Sequence, residues 1–549
     1  MKILLFSLTL IIITILPVNS QTLPPYNFTI YDSTENQGYY FLVSFTLIPP
    51  YTYAPTQMIL DNKGHLVYYR GFGIGGPLGT STDYKMQVNG TVSFYVGTMF
   101  YIMDSTFIVK DSLTAANGFS ADPHEMIILS NGHYLLLASE SRTLDLSSYY
   151  WFGQNHNQPG STNATVKGAV IQEFDQNKNL VWEWKSHDKF QFSDVDSIWL
   201  NSPENVDWTH SNALHMDNDG NVLLSSRHFN EITKINKSTG AIMWRWGGKR
   251  NQFTFANDTI GFTGQHHIRR ISNGNVTLFD NGQYTDPPVA RGLEYSLNES
   301  SKVATLIWQY IYDPGMYSSA MGDVQRLTNN NTLVNYGFVD SGRPTFVVVK
   351  PNGSKIVEMK LPDGYATYRA FNYSTLPWQL KRPNIRCSSI GNNYYLTADS
   401  GYTSYKWSTG AVTQSILLTQ TGIYYVYVNY GGGYISSPVY TILNMNSPCN
   451  GIGIISQSNS EANQYSLSQN YPNPFNPSTR ILFTIPEAGN VKLTLYDALG
   501  RLMKTLLNEH KSRGMYEFEL DASDLSSGVY FYKLEAPNYS NSKKMLLIK

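Results

Sequence analysis

Asn218-Asp219-Gly220-Asn221-Val222-Leu223-Leu224 sets an Asn/Asp-Gly turn directly against an apolar run, and Ile232 to Trp246 follows as a strand pair through Asn236 to Gly240. Asn/Asp-Gly pairs between apolar runs are the strongest short-range hairpin signal. The turn-then-run signature recurs at Ser130-Asn131-Gly132-His133-Tyr134-Leu135-Leu136-Leu137, at Ser272-Asn273-Gly274-Asn275-Val276-Thr277-Leu278 and at Asn329-Asn330-Asn331-Thr332-Leu333-Val334. The aromatic-ended pair recurs at Ile59 to Tyr69, Ile171 to Trp184, Leu293 to Tyr310 and Val347 to Met359. One of each per roughly 50 residues makes four strands a unit, the arithmetic of a β-propeller blade, and about 350 residues supply about six units. The expected fold class is all-β: a six-bladed β-propeller over residues 21–380, followed by two small β-sandwich domains. An irregular array of sandwiches is the alternative, disfavoured because the Trp-ended hairpins recur in register.

Composition agrees. At 549 residues the chain exceeds one ordinary domain. Charged residues make up only 15%, while Tyr (40) and Gly (42) abound, which suits short strands and tight turns in an extracytoplasmic protein. A net charge of −1 gives no support to nucleic-acid binding. Met1-Lys2, the apolar run Ile3 to Leu16 and then Val18-Asn19-Ser20 read as a signal peptide over 1–20, with Gln21 as the mature start and no transmembrane segment in the mature chain. In an oxidising compartment the two cysteines, Cys387 and Cys449, are expected to form a disulfide.

Residues 385–449 read as an immunoglobulin-like module of short strands around Trp407. The run Tyr405-Lys406-Trp407-Ser408-Thr409-Gly410 resembles accessory β-modules of secreted Bacteroidetes proteins. Residues 450–464 read as a linker. Beyond it, 465–549 carries Asn470-Tyr471-Pro472-Asn473-Pro474-Phe475-Asn476-Pro477, Tyr496-Asp497-Ala498-Leu499-Gly500-Arg501 and Leu525-Ser526-Ser527-Gly528-Val529-Tyr530. This segment resembles the C-terminal sorting domain of type IX secretion. The resemblance implies the type IX machinery as partner and a secreted or cell-surface location reached through the periplasm.

Five of the eleven histidines, His210, His215, His228, His266 and His267, fall between Trp208 and Gly282, at the ends of apolar runs. Neither Cys nor His-Glu-x-x-His accompanies them, so no metal is expected. In a propeller, loops after inner strands of different blades converge on the central channel, so separate stretches can build one site.

The motifs Asp122-Pro123-His124-Glu125, His210-Ser211-Asn212, Ser225-Ser226-Arg227-His228, Gly264-Gln265-His266 and Phe279-Asp280-Asn281-Gly282 together resemble the bacterial arylsulfotransferase family, which needs no nucleotide sulfate donor. The resemblance spans roughly 25–350. It implies transfer of a sulfuryl group from a phenolic sulfate ester to a phenol acceptor, ping-pong, through a sulfohistidine, with no cofactor. It also implies His266 as nucleophile, with His124, His210, Asn212 and Arg227 around the sulfate. Asp280 and Asn281 join Asn212 as candidate substrate-binding residues, with turn formation the alternative for Asn212 and Asp280.

The residue types suit the task independently. A neutral imidazole is a competent nucleophile near pH 7. Charge developing on the transferring group calls for a fixed planar cation, Arg227. A phenolate whose conjugate acid has a pKa of about 10 needs a proton donor, for which His210 and His124 are equal candidates. His267 and His228, each following a site residue on an expected strand, point to the opposite face and read as structural, and His215 and His133 lie by turns and read as solvated. The Trp182/Trp184 and Trp244/Trp246 pairs read as blade packing. Two rival functions remain at this point: a non-catalytic surface propeller binding glycan or protein, and a hydrolase in which water discharges the sulfohistidine.

Overall fold

A computed structural model describes residues 23–46, 54–72, 81–152, 157–442, 454–457, 465–470, 473–511 and 513–548, with Met445 and Cys449. The expected signal peptide, and most of the expected linker at 450–464, lie outside the described residues. The chain divides into two units, residues 1–31 with 38–378, and residues 32–37 with 379–549.

Among the described residues of the first unit, six four-stranded antiparallel sheets account for most of the strands. Written from inner to outer strand, the second sheet is Thr82–Met86, Val92–Val96, Met99–Met103 and Val109–Leu113. The third is Ser120–Ile128, Tyr134–Leu144, Ala164–Phe174 and Leu180–Lys185. The fourth is Ser211–Met216, Val222–Ser226, Glu231–Ile235 and Ile242–Gly247. The fifth is His266–Arg270, Val276–Asp280, Arg291–Asn298 and Val303–Tyr310. The sixth is Asp323–Arg326, Thr332–Asn335, Phe346–Val349 and Lys355–Lys360, with Asn27–Ile30 added outside it.

The first sheet is assembled from both ends of the unit. Tyr39–Thr46, Thr56–Asp61 and Leu66–Gly71 come from the start, and Ala370–Tyr373 returns to pair with Tyr39–Thr46 as the innermost strand. Tyr39–Thr46 of the first sheet contacts Thr82–Met86, the innermost strands of the second to sixth sheets contact one another in turn, and Ala370–Tyr373 contacts Asp323–Arg326, so the ring closes. This is a propeller.

Each sheet is covered on both faces by its neighbours, so its middle strands lose the polar-apolar alternation of a one-sided sheet. Val222–Ser226, Val276–Asp280 and Phe346–Val349 are buried at every position. The expected hairpins are present at every quoted turn, and Trp184, Trp244 and Trp246 are buried between sheets.

An ion network crosses between the inner strands. Lys85 pairs with Asp83 at 2.8 Å and with Glu125, and Glu125 also accepts from Arg269 at 2.7 Å and Arg369 at 3.0 Å. Arg369 reaches Asp83 at 2.6 Å. Buried charge is tolerated only when paired and hydrogen-bonded, and here every member has an opposite partner.

In the second unit, Cys387 and Cys449 form the expected disulfide. Ile454–Gln457, within the segment expected as a linker, joins the described residues of 465–548 in two four-stranded sheets, ordered Ile454–Gln457, Gly514–Asp521, Ser478–Ile485, Ser466–Leu467 and Leu502–Lys511, Gly489–Asp497, Gly528–Ala536, Tyr539–Leu547. Ile481 and Phe483 of one pack with Leu493, Leu495 and Tyr532 of the other in a shared core.

Candidate active site

His266 begins the inner strand of the fifth sheet, where pairing slips between His266 and Arg269 and His267 adopts φ +59°. Such a bulge re-aims side chains. The Gln265 amide before it donates to the Glu231 carbonyl at 3.0 Å, tying the turn to the fourth sheet. The ring nitrogen Nδ1 of His266 lies 2.7 Å from Asn281 Oδ1, and Asn281 Nδ2 donates to the carbonyls of Ser318 (2.9 Å) and Met321 (3.1 Å). Those two acceptors fix the amide, so its oxygen faces the ring. An amide oxygen only accepts, so Nδ1 carries the hydrogen and Nε2 keeps a lone pair. Burial, then the charge of Arg227, hold His266 unprotonated well below the ordinary histidine range. His210 and His124 act on it in the same direction, so all four groups share one neighbourhood.

His124 and His210 are held differently, each by a carboxylate on Nδ1. Asp122 takes His124, and Asp207 takes His210 at 2.5 Å. Asp207 sits on Asn205–Asp207, a strand that pairs in parallel with the third sheet, whereas His210, at φ +42°, leads into the fourth. The pair therefore bridges two blades and places the His124 and His210 rings 5.3 Å apart, edge to face. Burial pushes Asp207 up, but its bond to and the charge of His210, with Lys167, outweigh this and leave it below the usual carboxylate range. For His210 burial outweighs Asp207 and sets its pKa below the ordinary histidine value. A pocket borders Asp122, His124, Lys167, Asp207, Thr209 and His210, so both carboxylate–imidazole pairs face one space.

Arg227 lies on a single 3-10 turn, Arg227–Phe229, that ends the second strand of the fourth sheet. Its Nη2 donates to the Ser319 carbonyl at 2.9 Å, its guanidinium carbon lies 4.1 Å from the Trp199 ring centre, and Nε has no partner. Among the described residues no carboxylate pairs with it. Burial lowers its pKa to about 10, so it remains a cation at neutral pH. Asp207 acts on it only through space, and a buried cation with no directly bonded counter-ion is costly, a cost an anionic ligand would offset.

Asn212 is fully buried on the inner strand of the fourth sheet. Its Nδ2 donates to the Gln265 carbonyl at 2.8 Å, its own carbonyl accepts from Arg369 at 2.8 Å, and its Oδ1 is unpartnered. It thus links the ion network to the residue preceding His266.

The geometry revises several expectations. Asp280 is enclosed: Oδ1 accepts from Thr263 N (2.9 Å) and Gly282 N (2.8 Å), and Oδ2 pairs with Arg291 at 2.9 Å. It shapes the turn and leaves no oxygen for substrate. Asn281 is likewise spent on His266 and two carbonyls, so it acts through the imidazole. His228 does not flip away from Arg227, because strand alternation fails on a 3-10 turn, and its ring stacks on His210 with centroids 4.5 Å apart. His267 faces the Val324 carbonyl at 3.2 Å. His215 is not solvated: burial, then Arg269, lower its pKa to about 4. His133 is half-buried on Glu173 at 2.8 Å. Trp199 and Asp207 carried no signal in the sequence reading.

Asp207, His210 and His228 are the one group of three among the described residues whose ligand atoms lie within metal-holding reach, all within 4.8 Å of one another. Asp207 already binds Nδ1 of both rings, through its carboxylate and its carbonyl, and Arg227 Nη1 stands 3.4 Å from His228 Nε2. A fixed cation at that distance disfavours a second one.

Residues 31–372 match the arylsulfotransferase (ASST) family, well over half of the 549-residue chain. The chain belongs to the arylsulfotransferase family. Residues 469–549 match a secretion system C-terminal sorting domain, so this arylsulfotransferase-family chain carries an export signal for the secreted or cell-surface route. No curated protein matches the chain. Among solved structures, a protein of unknown function from Bacteroides caccae is similar at 11% identity, covering 61% of this chain and 98% of its own, with a TM-score of 0.37. A virginiamycin B lyase from Staphylococcus aureus is similar at 10% identity, covering 68% and 96%, with a TM-score of 0.31. A streptogramin B lyase is similar at 10% identity, covering 67% and 97%, with a TM-score of 0.29.

Proposed function

We propose that this protein is an exported aryl sulfotransferase that moves a sulfuryl group from a phenolic sulfate ester to a phenol through a sulfohistidine on Nε2 of His266. The observation that supports it most is the pairing of an unneutralised, buried Arg227 with a buried imidazole whose Nδ1 proton is committed to Asn281. Nε2 attacks sulfur and forms the N–S bond as the bond from sulfur to the aryl oxygen breaks. The departing phenolate takes a proton from Nε2 of His210 or His124 in its imidazolium form, which the carboxylate on Nδ1 stabilises until the proton leaves. Arg227 faces charge spread over the sulfuryl oxygens. In the second half the same imidazole removes the acceptor phenol's proton, the phenolate oxygen attacks sulfur, and the electron pair returns to Nε2. Asn212 is read as a substrate-side donor, through the second N–H of its amide.

The test is release of 4-nitrophenol from 4-nitrophenyl sulfate by the full chain, with and without added phenol, beside His266→Ala. Release that rises with phenol and is lost in the variant is expected. Release indifferent to phenol would mean hydrolysis. No release from any phenolic ester by a folded protein would leave a binding propeller.

A further inference from the structure

The Arg227–Phe229 turn brings a third imidazole into the cluster. His228 stacks on His210 (4.5 Å, 26° between planes) and on Trp199 (4.7 Å, 8°). Its Nδ1 lies 2.6 Å from the Asp207 carbonyl, which only accepts, so Nδ1 carries the hydrogen and Nε2 the lone pair. Nε2 in turn receives Arg227 Nη1 at 3.4 Å. Asp207 therefore suspends two stacked rings, His210 from its carboxylate and His228 from its carbonyl. Burial, then the neighbouring His210, keep His228 neutral well below the ordinary range, which preserves its acceptor.

The other side of the arrangement is fixed as well. Trp199 ends the 3-10 turn Ser197–Trp199, whose cap Asp196 donates its backbone N–H to the His228 carbonyl at 2.8 Å and accepts from Asn230 Nδ2 at 2.8 Å. Among the described residues the Arg227 guanidinium has one other hydrogen bond, to the Ser319 carbonyl at a single nitrogen. A fork held at one tine can pivot; the second contact, to His228, sets its plane.

We propose that His228 is a positioning residue for sulfuryl transfer: without touching substrate, it orients the Arg227 guanidinium toward the sulfuryl oxygens and keeps the His210 ring in place. The proposal rests on the sulfotransferase reading of this site. It predicts that anion affinity and turnover depend on an acceptor at position 228, beyond the need for a ring there.

The experiment uses the full chain with inorganic sulfate as probe, read by calorimetry and as a competitive inhibitor, together with initial rates on 4-nitrophenyl sulfate. His228→Phe keeps a ring in the stack and removes both hydrogen bonds, whereas His228→Gln keeps an acceptor oxygen for Arg227. His228→Phe is expected to bind sulfate about ten- to a hundredfold more weakly and to lose kcat/KM in proportion, the range for a lost hydrogen bond to a charged group. His228→Gln is expected to recover most of both. A folded His228→Phe that binds sulfate and turns over like wild type overturns the proposal, as does His228→Gln failing as badly as His228→Phe. If His228→Phe does not fold, His228→Gln decides alone, near-wild-type sulfate binding supporting the role and loss refuting it. Wild type that transfers nothing yet binds sulfate more tightly than His228→Phe removes the transferase reading and leaves the positioning role. Wild type that does neither removes both.

Discussion

Three histidines of one chemical type are set apart by what binds Nδ1. Asn281 gives His266 a neutral acceptor, which fixes the tautomer without favouring protonation, whereas Asp122 and Asp207 give His124 and His210 an anion. Replacing Asn281 by Ala frees the ring and is expected to lower kcat/KM about ten- to a hundredfold. Asn281→Asp adds a charge beside His266, and a pH–rate profile should show its acid limb moved up by about one unit or more. Asp122→Asn and Asp207→Asn separate the two proton donors. Disabling the true one should cost far more, within the about 10²- to 10⁴-fold range of general acid catalysis, on phenyl sulfate than on 4-nitrophenyl sulfate, whose leaving group needs no proton. At this scale the sequence singled out His266, Arg227, His210 and His124, which the fold brings into one neighbourhood. It was misread where the local backbone decided direction, as for His228, or where a cross-strand neighbour took the side chain, as Arg291 on the next strand of the same sheet takes Asp280.

Among elements, the turn after Asn281 is the least forgiving. Gly282 has φ +62°, and a Cβ there would stand 1.8 Å from the Val289 carbonyl oxygen. Gly282→Ala is expected to cost at least about 1–3 kcal/mol of strain and to reduce activity with it, since Asn281 shifts; thermal melts and rates read together check this. Glu125 lies in the same motif as His124 but serves the ion network: Glu125→Gln would leave Lys85, Arg269 and Arg369 undercompensated and should cost about 3–5 kcal/mol, measurable by denaturant titration. Hairpins closed by Asn-Gly turns were legible because their chemistry is local. The second sheet, Thr82 to Leu113, has an Asn89-Gly90 turn only in its first hairpin, and the closing strand Ala370–Tyr373 is four residues whose partner lies at the other end of the unit. Ring closure leaves no local mark.

For the whole molecule, closure by Ala370–Tyr373 predicts that a chain ending at residue 378 keeps its transferase activity while one ending before Tyr368 neither folds nor turns over, checked by circular dichroism and rates. Acid should unfold the protein early. His228, His266 and His267 are buried with pKa values well below 6.5, and His215 is lowered to about 4. Below pH 6.5 the unfolded chain binds protons these groups refuse, so stability falls with pH, by up to about 1.4 kcal/mol per unit for each. Glu231 and Asp323, raised by burial to about 7, act the other way, holding protons in the folded state that the unfolded chain releases above its carboxylate range. His187 and His210 are lowered as well and Asp280 is raised, and six groups against three predict a Tm that drops between pH 6.5 and 4 by calorimetry; a flat or rising Tm would contradict the buried histidines.

The most direct measurement is mass spectrometry of the full chain after brief exposure to 4-nitrophenyl sulfate without acceptor, quenched under alkaline conditions. The account predicts a sulfuryl adduct on His266 that phenol discharges to phenyl sulfate and that His266→Ala never forms. Nitrophenol release with no adduct on His266, or with one on another residue, would contradict it.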